Sequence, residues 1–210
     1  MSLKKLLNKV RVELKQKEEV KEEIQKDMRH ATRLAKQAIL LIHQRKLEEA
    51  RKSLKETERL FSTLTKLAQK YPELFYSGIV SAAFQEYTEA QVLFRLVEKG
   101  QFIGPQEIDV PLIDYVLGLA DVIGELRRRA LDMLRKGDVK IAEKCLETME
   151  EIFSELTAMD DAYMLIPGLR RKCDVARHVI ETTRGEITIE SRRASLERSI
   201  RKLEKAITMK

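Results

Sequence analysis

The stretch LKKLLNKVRVELKQKEEVKEEIQKDMRHATRLAKQAILLIHQ, residues 3–44, decides the fold class. Its apolar positions are Leu3, Leu7, Val10, Leu14, Ile24, Met28, Ala31, Ala35, Ala38 and Ile42. They form two interleaved series, each stepping by seven, interrupted only at Lys17 and Lys21. Such a heptad seam predicts one long amphipathic helix. At 1.5 Å per residue, about 40 residues span roughly 60 Å, more than the width of one small domain. Part of this helix is therefore expected to pack against a neighbouring subunit.

The rest of the chain agrees with an all-α reading. Of 210 residues, 43% are apolar and 35% charged, with only 8 Gly and 4 Pro. Few breakers among many Lys, Glu, Leu and Ala residues favour helices over strands. Further helices are predicted over 47–70, 74–99, 112–135, 139–159, 168–183 and 188–207. Breaks are expected at Tyr71-Pro72, Gly100, Gly137-Asp138, Pro167-Gly168 and Gly185. The expectation is a single-domain seven-helix bundle over 1–210, with a long N-terminal helix.

Charge and cysteine content narrow the function classes. The net charge is +6 and the isoelectric point about 9.2, which permits a polyanionic partner without requiring one. Cys145 and Cys173 form no CxxC pair, so buried free thiols are expected rather than a zinc site or a disulfide framework. No apolar run approaches the roughly 18 residues a membrane span needs. The opening MSLKKLLNKV has no apolar leader segment, and a soluble, cytoplasmic protein is expected.

Two later stretches carry the chemistry. GIVSAAFQEYTEAQVLF (78–94) is apolar almost all round, yet holds Glu86 and Glu89. DYVLGLADVIGELRRRA (114–130) holds Asp121 and Glu125 among Val, Leu and Ile. Residues three or four apart share a helix face, so each pair lies one turn apart on an apolar helix. Asp114, Gly118, Asp121, Glu125 and Asp132 share one face. Burying two like charges side by side is costly without a positive partner. That partner is either a Lys or Arg from another helix, a purely structural role, or a hard divalent cation such as Mg²⁺ or Mn²⁺, which prefers oxygen ligands. One pair alone favours the structural role; two pairs bring the two readings level. A di-iron centre needs Glu-x-x-His on two helices, and none of the three histidines stands at that spacing.

FQEYTEA (84–90) and DYVLGLADVIGEL (114–126) resemble the two acidic motifs of the translin/Trax family, on its Trax side. KQAILLIHQ (36–44) is similar to the family's first helix, and the helix order matches over essentially the whole chain. The second motif is long enough to be specific; the first alone is weak. The resemblance implies a seven-helix α-α fold and an Mg²⁺-dependent endoribonuclease. It makes Glu86, Glu89, Asp121 and Glu125 the metal-binding and catalytic acids. It also implies a hollow octamer with RNA inside, with a translin-like second chain as an alternative partner. The connector at 100–111 is short, which points to a prokaryotic, archaeal homologue forming a homo-oligomer. This argues against the RNA-interference role of the animal complex.

Arg128 and Arg129 follow Glu125 by three and four residues, and Arg33 and Lys36 mark a basic strip on the first helix. These four are the candidate phosphate contacts. The clusters at 170–172 and 192–193 read more readily as solvated or oligomer-contact surface. Aromatic residues are only 5%, so recognition by backbone and shape is expected over base stacking. Gly118 and Gly124 are expected to let a neighbouring helix or the substrate approach closely. Two other functions compete with the nuclease: a non-catalytic, translin-like RNA- or DNA-binding ring, and a helical scaffold whose acids are structural.

Overall fold

The structure, a computed structural model, describes residues 2–68, 70–75, 77–159, 161 and 163–208, with the side chains of residues 68 and 206 left aside. Among the described residues every regular element is a helix: α1 (Leu3–His43), α2 (Leu47–Ala68), α3 (Pro72–Phe75), α4 (Gly78–Lys99), α5 (Pro105–Ile108), α6 (Leu112–Arg135), α7 (Val139–Ala158) and α8 (Leu169–Thr208). The all-α class and the long first helix are as the sequence predicts. No helix of the described residues is long and apolar enough to cross a membrane.

The helix inventory differs in detail. The two helices expected on either side of Gly185 are one, because α8 runs through that glycine for 40 residues. A lone glycine weakens a helix without obliging it to end, and neighbouring packing overrides it. The helix expected from residue 74 starts at Gly78, and the turn α3 before it begins at Pro72. The expected end of the second helix near 70 runs through Gln69, which lies outside the described residues.

The predicted stops act where backbone geometry demands glycine. Gly100 ends α4 in the left-handed region, φ 67°, with its N–H on the Leu96 carbonyl. Gly137 (φ 77°) closes α6, its N–H donating to Leu134 O at 2.8 Å. The Asp138 carboxylate then caps α7 by accepting from the Ile141 N–H at 3.1 Å. Side chains other than glycine are strained at such positive φ.

The chain divides into two compact units, Met1–Gly118 and Leu119–Lys210. In the first, α1 packs on α2 and α4, and α2 packs on α4. Its core contains Met28, Ile42, Leu64, Phe84 and Tyr87, with Phe61 stacked on Phe84 at 4.3 Å between ring centroids. Gly118 belongs to this unit. A Cβ there would lie 2.5 Å from the Gln85 carbonyl oxygen and 2.7 Å from Thr88 Cβ. The close approach expected at Gly118 is thus an approach to α4.

In the second unit α7 packs on α8. Ala130, Met133, Ala142, Cys145 and Ile187 form its buried cluster. Arg127 ties α6 to α8, donating to Thr183 Oγ1 at 2.7 Å and Glu186 Oε1 at 3.0 Å. At Gly124 no described atom lies within 4 Å of a Cβ built there, so of the two approaches expected the one by a neighbouring helix is not seen. It faces open space.

Candidate functional site

The acids of α4 lie beside its buried face rather than within it. That face is set by Val80, Ala83, Phe84, Tyr87 and Ala90, while Glu86 and Glu89 are half-buried. The expectation of carboxylates in an apolar interior is corrected accordingly. A helix apolar on nearly every side gives a weak periodic signal, and the bulky Phe84 and Tyr87 decide which side turns inward. Glu86 is 27% exposed and faces Lys36 of α1, Nζ to Oε1, at 3.1 Å.

Asp121 and Glu125 are likewise half-buried on α6. Asp121 accepts a hydrogen bond from the ammonium of Lys172 on α8. Glu125 lies 3.5 Å from the guanidinium of Arg128, one turn further along the same helix. The apolar neighbours Val122, Ile123 and Leu126 are buried. The spacing therefore does what the sequence requires: acids stay at the edge while the intervening residues fill the core.

A better buried carboxylate is Asp114, 7% exposed. It accepts from Ser81 Oγ and, at 3.3 Å, from Gln85 Nε2. These bonds come from α4, so Asp114 fastens the start of α6 to that helix. Its position on the acid face of α6 does not by itself separate its role from that of Asp121.

The candidate phosphate contacts divide. Arg33 and Lys36 are exposed on α1, and Lys36 is the partner of Glu86. Arg128 is exposed beside Glu125. Arg129 is half-buried and reaches Cys145, where it opposes the upward push of burial on the thiol's pKa. Lys172, from a cluster read as surface, is the residue that sequence reasoning missed. Its partner stands 51 positions away, and helical periodicity carries no information at that range. Both cysteines are buried and free, as expected, and burial raises both thiol pKa values.

Next to Asp121 a cavity of about 450 Å³ opens in the second unit. Asp121, Gly124, Arg171, Lys172, Val175 and Val179 are among its lining residues. The volume falls in the range of small-ligand sites. Among the described residues no group of three or more His, Cys, Asp or Glu side chains is placed to hold a metal ion. The acids expected to hold a metal stand as a pair of carboxylates on one helix within each unit, and they would offer oxygen ligands only. That suits Mg²⁺, which commonly takes one or two carboxylates and completes its shell with water and substrate phosphate.

The Translin family model matches residues 19–207. The chain belongs to the translin family. An uncharacterized protein of Methanocaldococcus jannaschii is 34% identical over 176 residues, covering 83% of this chain and 78% of that protein. Among solved structures, AfC3PO is 35% identical with a TM-score of 0.80, covering 88% of this chain and 96% of that one. The complex of AfC3PO with duplex RNA has the same identity and a TM-score of 0.79. Apo-NeC3PO, 25% identical, superposes with a TM-score of 0.80. This translin-family chain thus shares its fold with structures determined both with and without RNA.

Proposed function

We propose that this translin-family chain binds RNA, duplex RNA included, and cleaves it as an endoribonuclease requiring Mg²⁺ or Mn²⁺, working as a closed homo-oligomer of eight. The RNA reading is carried by the likeness to AfC3PO, 35% identical across 88% of this chain and determined with duplex RNA. A net charge of +6 supports it, because basic side chains exchange for the counterions of a polyanion.

The nuclease reading rests on the carboxylate pairs. Asp121 with Glu125, and Glu86 with Glu89, each offer two oxygen ligands from one helix face. These carboxylates would hold a divalent cation, which would supply Lewis-acid polarisation of a phosphoryl oxygen. The chain's own side chains do the rest of the positioning. Arg128, exposed beside Glu125, would donate to a phosphate oxygen, a charge-assisted bond. Arg33 and Lys36, exposed on α1, add phosphate contacts that read no sequence.

A non-catalytic RNA-binding ring is the second reading, and one observation favours it. Glu86, Asp121 and Glu125 each already face a cation of the chain. The test is incubation of labelled single-stranded and duplex RNA with the purified protein in Mg²⁺, Mn²⁺ or EDTA, beside Asp121→Asn. Cleavage that needs the metal, and falls at least 100-fold in the variant, upholds the nuclease; a loss of roughly that size is usual when one charged group in a transition-state clamp is removed. Binding without cleavage in every lane transfers the assignment to the ring.

A further inference from the structure

We infer that Lys172 is the resident counter-ion of Asp121, that a divalent cation must displace it, and that it thereby sets the protein's metal affinity. The inference rests on the metal reading above and concerns a residue that reading does not use.

The argument starts from where the charge sits. Lys172 is 27% exposed and Asp121 39% exposed, with the ammonium hydrogen-bonded to the carboxylate. An ammonium and a divalent cation repel each other and compete for the same carboxylate oxygens. In a partly dehydrated setting that repulsion is screened less than at the open surface. The lysine stem is long and flexible enough for its head group to move aside, and the adjoining cavity of about 450 Å³ gives it room. Arg171 lines the same cavity, so Asp121, the one carboxylate among its described lining residues, stands beside two cations.

The other acids are countered differently. Lys36, facing Glu86, is 63% exposed, so water and salt replace it easily. Arg128 and Glu125 are neighbours on one helix at 3.5 Å. At Asp121 a mostly covered ammonium arrives from a different helix, and displacing it costs more than displacing the exposed Lys36.

The test is Mn²⁺ binding to the full chain without RNA, followed by the spin-resonance signal of free Mn²⁺. Lys172→Met and Lys172→Gln remove the charge, while Lys172→Arg keeps it. The first two are expected to bind Mn²⁺ roughly three- to tenfold more tightly, in keeping with a partly exposed ion pair. Lys172→Arg is expected to stay within about twofold of the unaltered chain. Adding Asp121→Asn to Lys172→Met is expected to erase the gain. Unchanged or weaker Mn²⁺ binding in folded Lys172→Met and Lys172→Gln overturns the inference and leaves the metal reading standing. A gain that survives Asp121→Asn overturns it as well. Absence of Mn²⁺ binding by every chain at millimolar metal removes the metal reading and this inference together.

Discussion

Tyr87 shows how much a single side chain on α4 contributes. It is 1% exposed, its ring lies edge-on to Phe61 at 5.1 Å, and its hydroxyl accepts from Gln91 Nε2 at 2.7 Å. Burial pushes the phenol from its ordinary pKa of 10 up to about 12, with the Gln91 bond pulling the other way. A pKa raised on folding means that the native state holds its proton longer. The stability tied to the neutral phenol is therefore complete below pH 10 and is lost as the pH climbs through about 12. Two pKa units correspond to roughly 2–3 kcal/mol. Tyr87→Phe is expected to cost about 1 kcal/mol at pH 8, for the lost hydrogen bond, and to flatten the alkaline fall. Urea melts of both proteins at pH 8, 10 and 11.5 measure the difference, which cancels the titration of lysines common to both. An equal fall in the two proteins would assign the alkaline loss to other groups. At this scale the sequence locates Glu86, Glu89, Asp121 and Glu125 as unusual, because carboxylates amid apolar residues stand out in any helical register. It leaves their partners hidden. Lys36 and Lys172 come from helices 50 and 51 positions away, and nothing in local spacing reports a contact of that range.

Elements are where glycine reads ambiguously. Gly118 and Gly185 are both internal to helices, and composition treats them alike. Around Gly118 the Gln85 carbonyl leaves no room for a methyl group, so α4 and α6 depend on its absence. Around Gly185 no described atom lies within 4 Å of an added Cβ, and the residue is exposed. Opposite effects follow from the same substitution. Gly185→Ala is expected to stabilise by about 0.5–1 kcal/mol through helix propensity and reduced freedom of the unfolded chain. Gly118→Ala is expected to destabilise by roughly 1–3 kcal/mol as α4 and α6 are forced apart. Thermal melts of both variants check the pair, and two shifts of like sign would contradict these packing environments. The same contrast explains the misplaced break in the sequence analysis. Gly100 and Gly137 adopt positive φ and end helices, while Gly185 remains helical. A one-letter G does not distinguish them; the backbone geometry imposed by the following residues does.

For the whole molecule, the uncovered apolar seams matter most. The heptad of α1 is legible throughout the sequence, but only its later part is buried in this chain. From Ile24 onward its positions are covered, while Leu3, Leu7, Val10 and Leu14 are 42–72% exposed. The far end of α8 behaves in the same way. Ile189, Leu196 and Leu203 step by seven, as do Ile200 and Ile207, and all five are 45–74% exposed. Heptad spacing sustained on a surface is the pattern of a helix that meets another helix, and a contiguous exposed apolar stripe marks an association surface. Neither stripe is needed by the core of its own unit, which suits the homo-oligomer proposed above. Replacing Leu196 and Leu203 together with Glu puts two charges on the α8 stripe without touching the buried cluster around Cys145. The double variant is expected to keep its helical circular dichroism and to lose mass by light scattering, falling from the oligomer to smaller species. Diluting the unaltered chain tenfold at the same salt should leave its mass unchanged, since obligate interfaces of this apolar character are tight. An unaltered oligomer in the double variant would free the α8 seam from any part in assembly, and would leave the seam of Leu3, Leu7, Val10 and Leu14 as the surface to test next for the proposed association.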